Sequence, residues 1–407
     1  MENKRRIIFH IDVNSAFLSW EAIHRLEEGN MVDLRTIPSI VAGDPAKRHG
    51  IVLAKSIPAK KFGIKTGEPV FRAMKKCPNL TIVAPSHHIY AKQSKAMTDL
   101  LFTYTPDIEK VSIDECFIDI SGLRLRYGND FIRLAGKMKD HIRNELGFTV
   151  NVGISENKLL AKMASDFTKP DRIHTLFPDE IKEKMWILPV SELYMVGKAS
   201  AAMFELMGIR TIGDLAHMEV DILEQKFKKY GRMIWEYANG WDDSPIKSRE
   251  TEAKDLSNET TVSFDITDIE TARLYILSLS ETVAARLRES GLFAGVVAIH
   301  LKNCNFEAYS RQKKLEQATQ DTNEIFSAAA SLFKEAWKRD PLRLIGVATS
   351  QLQREPVYQF NMFETAEEKK NRIKLDKSID RIREKYGNDY VVRGSLLNFN
   401  KNLNDKT

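Results

Sequence analysis

The 407-residue chain contains only three cysteines, Cys77, Cys116 and Cys304, and they lie far apart in the sequence. An odd and scattered set of thiols excludes a disulfide framework and a zinc site built from cysteine. The chain also lacks any apolar run near the roughly 18 residues that a membrane span needs. Residues 1–11 show no signal-peptide pattern. We therefore expect a cytoplasmic protein with no membrane contact.

A strong excess of charge is missing too, because 61 Lys and Arg are set against 56 Asp and Glu, a net charge of +5. This mildly basic balance permits a polyanionic partner without requiring one. Hydrophobic residues make up 43% of the chain, which is enough for ordinary cores. At about 150 residues per domain, the length predicts two to four domains.

Hydrophobic periodicity predicts a β-α-β-β-α-β order in the first half of the chain, once residues 13–85 are set aside as an insertion. The hairpin is centred on residues 113–115, and the second helix carries one apolar stripe. The predicted elements are a strand at 7–12, a helix at 87–103, a hairpin at 107–120, a helix at 130–146 and a strand at 148–154.

The second half of the chain repeats this order without repeating the sequence. Helices are predicted from Pro178, from Ser191 and after a cap at Thr211, and the polar residues 242–258 are interpreted as a linker. The second set is a strand at 260–265, a helix at 269–289, strands at 294–302 and 306–315, a helix at 322–337 and a strand at 342–351.

A tail of about 55 residues follows, and it contains one more amphipathic helix. Its apolar residues at i, i+4, i+7 and i+11 are Leu375, Ile379, Ile382 and Tyr386. This helix either docks on the body of the protein or binds a partner.

Three carboxylates are expected to meet if the first set forms a ferredoxin-like sheet, because its first and third strands are antiparallel neighbours. Asp12 ends the first strand, while Asp114 and Glu115 lie in the turn that opens the third. Mg²⁺ prefers oxygen ligands, and two such ions can hold the attacking and leaving oxygens of a phosphoryl transfer. The alternative is that these residues are ordinary turn residues at strand ends.

Three segments around these carboxylates resemble the motifs of the Y-family translesion DNA polymerases. They are residues 11–17 (IDVNSAF), 112–119 (SIDECFID) and 152–162 (VGISENKLLAK), and the resemblance extends from residue 6 to about 352. It implies error-prone, template-directed DNA synthesis past damaged bases, without proofreading. It also implies two Mg²⁺ ions held by Asp12, Asp114, Glu115 and the backbone carbonyl of Val13.

The resemblance implies an α+β chain with several domains. The palm has the βαββαβ order, the thumb is helical with a helix-hairpin-helix, and the little finger is the second βαββαβ domain. The expected boundaries are 1–15 and 86–174 for the palm, 16–85 for the fingers, 175–241 for the thumb, 242–258 for the linker, 259–352 for the little finger and 353–407 for the tail.

The resemblance also assigns residues to the nucleotide. Phe17 falls on the steric-gate position, where an aromatic face leaves no room for a ribose 2′-hydroxyl; otherwise Phe17 is simply a core residue. Lys60 and Lys169 fall on positions that contact the triphosphate, although surface lysines are common. The chain departs from the family at Ile57, where Tyr is usual, and at Lys60, where Arg is usual.

DNA contacts are expected at two places. Gly197 and Lys198 lie in a segment that resembles a helix-hairpin-helix, which binds phosphate without reading sequence; a plain helix-helix turn is the alternative. Residues 241–350 hold 14 Lys and Arg against 17 Asp and Glu, a net charge of −3, so a DNA-facing sheet and a solvated face remain equally open. The cations expected on that sheet are Lys302, Arg311, Lys313 and Lys314.

The tail segment 359–363 (QFNMF) looks like the sliding-clamp-binding peptide of bacterial polymerases. Its expected contact residues are Gln359, Phe360, Met362 and Phe363. We expect a monomer that binds primer-template DNA, deoxynucleoside triphosphates and a sliding clamp. The rival interpretations are another palm-based phosphoryl-transfer enzyme, such as a nucleotide cyclase, and a non-catalytic DNA- or clamp-binding module.

Overall fold

The computed structural model describes residues 6–44, 48, 50–123, 127–128, 130–248, 252–354, 366–387 and 390–397. The chain divides into two units. The first comprises residues 1–43 and 51–250, and the second comprises residues 44–50 and 251–407. Each unit is described separately.

The first unit contains eight described strands and eleven described helices. In chain order they are β1 (Ile8–Val13), α1 (Ala16–Glu27), β2 (Ser39–Ala42), β3 (Val52–Lys55), α2 (Ile57–Lys61), α3 (Val70–Lys76), β4 (Thr81–Val83), α4 (His87–Phe102), β5 (Ile108–Lys110), β6 (Glu115–Asp119), α5 (Phe131–Leu146), β7 (Val150–Ser155), α6 (Lys158–Asp166), β8 (Ile173–Thr175), α7 (Ile181–Lys184), α8 (Lys198–Leu206), α9 (Ile212–Ala216), α10 (Val220–Phe227) and α11 (Lys229–Ala238).

The main sheet of this unit has the strand order β5-β6-β1-β7-β8. Strand β1 is antiparallel to both of its neighbours, β6 and β7. The predicted first and third strands are therefore central antiparallel neighbours, as a ferredoxin-like sheet requires. A smaller three-stranded sheet, β3-β2-β4, forms from the segment that the periodicity set aside as an insertion.

Helices pack on both faces of the main sheet. Helix α5 buries Leu134, Met138 and Ile142 in the principal core, as the stripe predicts. On the other face, α6 lies very close to β7, because a Cβ atom on Gly153 would be 2.0 Å from the carbonyl oxygen of Ala161. Only glycine permits this approach, which fixes the position of α6 beside β1 and β7.

The helical segment from residue 178 differs from the prediction in detail. Thr211 caps α9 and forms a capping box with Asp214, as expected. The helix expected from Ser191 is instead a single 3₁₀ turn at Val190–Glu192. The segment is too short and too rich in turns to complete α-helical hydrogen bonds, and its apolar residues pack into a local core.

The second unit consists of a four-stranded sheet and three described helices. In chain order they are β9 (Asp255–Ile266), α12 (Ile269–Glu289), β10 (Phe293–Asn303), β11 (Ala308–Thr319), α13 (Thr322–Ala336), β12 (Leu342–Gln353) and α14 (Ala366–Tyr386). The predicted β-α-β-β-α-β order is therefore confirmed. However, the strand order is β11-β10-β12-β9, so its second and fourth strands are the central neighbours.

The segment predicted as a linker is shorter than expected. Strand β9 begins at Asp255, inside that segment. At the other end, the Asp242 side chain accepts a hydrogen bond from the backbone N–H of Leu159 at 3.1 Å. The backbone N–H of Lys247 donates to Glu109 at 2.8 Å. The polar composition of this segment suggested a linker. Composition alone does not show that the Asp242 side chain and the Lys247 backbone N–H have hydrogen-bond partners in the first unit.

Helix α14 docks on the second unit through charged side chains. The buried guanidinium of Arg288 binds Asp380 through two hydrogen bonds of 2.5 and 2.9 Å and lies 3.1 Å from Asp376. Thr322 donates its hydroxyl to the same Asp376 at 2.8 Å. Of the two alternatives for this helix, docking on the body is what the structure shows. It uses little of the predicted apolar stripe, since Leu375, Ile382 and Tyr386 are exposed and Ile379 is half-buried.

We expect Arg288→Ala to release α14 from the second unit. The substitution removes the guanidinium that Asp376 and Asp380 share, although Arg393 still lies 3.7 Å from Asp376. Breaking such a buried pair costs about 3 kcal/mol. Hydrogen exchange of the full chain should show lost protection of the α14 amides. Arg286→Ala, two residues away on the exposed side, is the matched control. Unchanged α14 protection in Arg288→Ala would show that other contacts hold the helix.

Candidate active site

The antiparallel register of β1 and β6 pairs Asp12 with Glu115. The backbone N–H of Val13 donates to the carbonyl oxygen of Asp114 at 3.0 Å, so the chain before β6 is held against the end of β1. Asp12 and the adjacent pair Asp114 and Glu115, which lie about 100 positions later in the sequence, thus border one edge of the sheet. Glu115 is the first residue of β6, whereas the sequence analysis placed it in the preceding turn.

Asp114 is held in the turn by the Ser112 hydroxyl, which donates to its carboxylate at 2.7 Å. Burial raises the pKa of Asp114, and the negative charges of Asp12 and Glu115 add to this effect. Its ionised form is therefore disfavoured in the folded protein, and a nearby cation would relieve that cost.

Two lysines neutralise part of this charge. Lys169 donates to Asp12 at 2.8 Å. Lys162, on α6, lies 2.5 Å from Glu115 and 3.7 Å from Asp12. Burial opposes protonation of both amines, but the adjacent carboxylates outweigh it and raise their pKa values. The sequence analysis did not assign Lys162, although this residue ends the third motif.

His10 is the other unassigned residue of the cluster. It is fully buried, and its Nε2 atom lies 3.0 Å from Glu115 while its Nδ1 atom lies 2.8 Å from the Ser165 hydroxyl. Its contact and that of Lys162 hold the pKa of Glu115 at about 2, although burial acts in the opposite direction. The sequence feature that could have identified His10 is its spacing from Asp12, since positions 10 and 12 of a strand share one face.

The donor set suits a hard cation because it consists of carboxylate oxygens at one sheet edge. Among the described residues, no group of three His, Cys, Asp or Glu side chains has the arrangement of a metal site. The three carboxylates thus border the edge without converging on one point, and the Lys162 and Lys169 amines bind two of them. Burial raises the pKa of Asp114, and the charges of Asp12 and Glu115 raise it further, so a cation bound beside Asp114 would stabilise its ionised form.

A cleft of about 360 Å³ opens beside this edge, within the first unit. Asp114 and Lys169 line it, together with Lys60 and Ile57 of α2. The remaining lining residues are Val13, Asn14, Ser15, Ala16, Phe17, Leu53, Ala54, Lys55, Ser56, Thr66 and Pro170.

Phe17 lines the cleft and also packs against the core, so neither of its two predicted roles excludes the other. Its ring stacks on Tyr90, with ring centroids 4.5 Å apart and planes 17° apart. His87 contacts the same ring edge-on at 5.9 Å. These contacts fix the ring orientation at the cleft wall.

The residues predicted to contact DNA lie at the surface. Helix α8 begins at Lys198, and Gly197 precedes it with no atom within 4 Å of where a Cβ would be. In the second unit, the register of β10 and β11 pairs Arg311 and Lys313 with the core residues Ile299 and Val297. Arg311 and Lys313 thus share the helix-covered face of the sheet.

The other two predicted cations of this sheet lie on its opposite face. Lys302 alternates with the core-facing Leu301, and Lys314 pairs with Val296. The four cations expected to form one surface are therefore divided between two faces. A one-residue offset along a strand reverses the direction of its side chains, and the strand register could not be deduced from the sequence. The predicted clamp peptide, with Gln359, Phe360, Met362 and Phe363, lies outside the described residues.

Comparisons with known proteins identify the family. Residues 11–166 match the impB/mucB/samB family and residues 253–362 match its C-terminal domain. A DNA polymerase IV from Clostridium acetobutylicum is 48% identical over 96% of this chain and 98% of that protein. A DNA polymerase IV from Clostridium kluyveri is 37% identical over 98% of this chain and 100% of that protein.

The chain belongs to the DNA polymerase IV group of Y-family DNA polymerases. A solved Y-family DNA polymerase chimera also has this fold, with a TM-score of 0.76 at 22% identity over 86% of this chain and 100% of that one. The predicted α+β fold class and family are confirmed. As a Y-family polymerase, the chain is a DNA-directed DNA polymerase that acts in translesion synthesis.

Membership in the Y family has further consequences. The chain is a metal-dependent nucleotidyltransferase that binds primer-template DNA and nucleotides. The nucleotide cyclase and the non-catalytic module are excluded as rival interpretations. Among the described residues, no helix is both long enough and apolar enough to cross a bilayer.

Proposed function

We propose that this Y-family polymerase adds deoxynucleotides past damaged template bases at the edge formed by Asp12, Asp114 and Glu115. The observation that carries the proposal is the pairing of Asp12 with Glu115 beside a cleft that also contains Asp114 and Phe17. Two Mg²⁺ ions would be held by these carboxylates and by the Val13 carbonyl. When bound, such ions neutralise the triphosphate and lower the pKa of the attacking hydroxyl.

The chain's own cations would bind the triphosphate. Lys60 and Lys169 line the same cleft, and an ammonium group binds phosphate as a point charge. Lys169 is paired with Asp12, so phosphate and carboxylate compete for the same amine. Lys162 and His10 hold Glu115 at the sheet edge and keep it ionised.

Phe17 would select the sugar. Its ring is fixed by Tyr90 and lines the same cleft as Asp114. A ribose 2′-hydroxyl directed at this ring would overlap it, whereas a deoxyribose would not. Ile57 supplies no hydroxyl donor at the cleft wall, so nucleotide capture depends more heavily on the lysines.

Primer extension by the full chain tests the proposal. With Mg²⁺ and a template that carries an abasic site, we expect elongation past the site and no shortening of a mismatched primer, because we propose synthesis without proofreading. Cyclic nucleotide formation without elongation would contradict the proposed reaction. Lack of any metal-dependent product from a folded sample would contradict the proposed site.

We also propose that Gly197, Lys198, Lys302 and Lys314 contact the DNA backbone. Arg311 and Lys313, on the other face of the second-unit sheet, would supply further positive charge for DNA phosphates. The support is exposure: Gly197 leaves the backbone accessible, Lys198 and Lys314 are exposed and Lys302 is partly exposed, so these cations can supply charge for phosphate. Such contacts carry no sequence information, as a polymerase that copies any template requires.

Sliding-clamp binding through residues 359–363 remains part of the proposal, as do a monomeric state and a cytoplasmic location. We predict that alanines at Gln359, Met362 and Phe363 abolish clamp binding but leave basal primer extension intact, because apolar anchors fill pockets on the partner. Surface plasmon resonance on an immobilised bacterial clamp measures the first effect. Alanines at Asn361 and Glu364 form the matched control, and undiminished clamp affinity of the first variant would contradict this assignment.

A further inference from the structure

Docking of α14 separates the charges of that helix. Asp376 and Asp380 face the rest of the second unit, where Arg288 pairs with both. Of the described residues from 371 to 387, Glu384 is the one acidic residue that is exposed. Four cations of the same stretch are exposed: Lys374, Lys377, Arg381 and Lys385. Over residues 371–387 the outer face of α14 is therefore basic, although the helix as a whole has mixed charge.

Exposed apolar and aromatic side chains accompany these cations. Leu375 is 61% exposed, Tyr386 is 52% exposed and Tyr390 is 72% exposed. The two tyrosine rings lie 5.7 Å apart, and the Lys385 amine lies 5.0 Å from the Tyr386 ring. Large aromatic surfaces are costly to leave in water, so this pair requires an explanation.

We propose that the outer face of α14, defined by Lys374, Arg381, Lys385, Tyr386 and Tyr390, binds a strand of single-stranded DNA. Cations that follow one ridge of a helix suit the phosphates of a strand, and adjacent exposed aromatic rings suit base stacking. This surface lies in the second unit and goes beyond the proposed catalytic function.

The charge of the face argues against the other occupants. Two copies of the chain that met through α14 would place like charges against each other, which disfavours self-association. An acidic protein would match the charge but gives no account of the paired, exposed tyrosine rings. Single-stranded DNA accounts for both features, and it is present wherever a polymerase copies a template.

Binding of the full chain to fluorescein-labelled oligothymidylate, measured by anisotropy over a salt series, tests the proposal. For Lys374→Ala with Arg381→Ala, we expect the slope of log affinity against log salt to become shallower by about 1.4, since each lost phosphate contact removes about 0.7. For Tyr386→Ala, we expect affinity to fall by about 5- to 150-fold with an unchanged slope.

Two further variants make the result specific. Lys374→Arg with Arg381→Lys keeps the charge and should retain the wild-type slope. Lys137→Ala with Lys334→Ala removes two exposed helical lysines elsewhere and should also retain it. Two results overturn the proposal. One is a wild-type slope in Lys374→Ala with Arg381→Ala, and the other is an equally shallower slope in the Lys137/Lys334 control.

The protein alternative has its own outcome. If the Lys374/Arg381 double variant loses binding to polyglutamate while its oligothymidylate slope is unchanged, the face is an acidic-protein site and the proposal is wrong. Circular dichroism of each variant verifies that α14 remains helical. Wild-type primer extension separately reports the proposed catalytic function, so failure of one proposal is distinguishable from failure of the other.

Discussion

Replacing Asp114 by asparagine should lower the rate of primer extension on the order of 10³-fold, because charge stabilisation at the reacting phosphate is the largest single contribution to such chemistry. Asparagine keeps the shape of the side chain and can still accept the Ser112 hydrogen bond. It removes one of the three negative charges at the sheet edge. Single-turnover incorporation of one nucleotide measures the effect directly.

The same substitution should not destabilise the fold. The pKa of Asp114 is raised in the folded protein by burial and by the neighbouring carboxylates, so at neutral pH its ionised form costs stability. Asparagine removes that cost, and the melting temperature should be unchanged or higher. Asp140→Asn, on the exposed side of α5, is the control. Full activity of Asp114→Asn would contradict the proposed role, and lost activity with a lowered melting temperature would indicate misfolding instead.

Phe17→Ala should allow the enzyme to incorporate ribonucleotides. Overlap of a 2′-hydroxyl with the fixed ring should cost about 1–3 kcal/mol, as overpacking does elsewhere, and its removal should improve ribonucleotide incorporation by about 5- to 150-fold. Deoxynucleotide incorporation should change less, because it makes no such overlap. The ratio of kcat/KM for each pair of nucleotides is the quantity to measure.

Phe71→Ala supplies the matched control, because Phe71 is an exposed phenylalanine of α3 outside the cleft. The control should discriminate between sugars as the wild type does. If Phe17→Ala also keeps the wild-type ratio, Phe17 serves only the core it packs against, and another group excludes the 2′-hydroxyl.

The sequence determined the site more fully than it determined the surfaces. Strand periodicity and chain order were enough to place Asp12 beside Asp114 and Glu115, because the ferredoxin-like topology leaves few alternatives. Hydrogen-bonded partners such as His10 and Lys162 were missed because each is an unremarkable residue until the register is known. A single residue of strand offset was likewise enough to divide Lys302 and Lys314 from Arg311 and Lys313.

The tail shows a different limit of sequence patterns. The stripe of Leu375, Ile379, Ile382 and Tyr386 indicated correctly that residues 366–386 form a helix. It did not reveal which face of this helix docks. The pattern within one segment cannot show that Asp376 and Asp380 pair with Arg288 of another helix. Ion pairs between distant segments have no periodicity, so they cannot be deduced from one segment alone.

The geometry of the carboxylate edge depends on the absence of a Cβ atom at Gly153. A methyl group at this position would collide with the Ala161 carbonyl and push α6 away from the sheet. Lys162 would then move with the helix and lose its ion pair with Glu115. A residue without a functional group therefore limits which mutations the reaction centre tolerates. Random mutagenesis should find that Gly153 tolerates substitution as poorly as the three carboxylate residues, although it does not contact them.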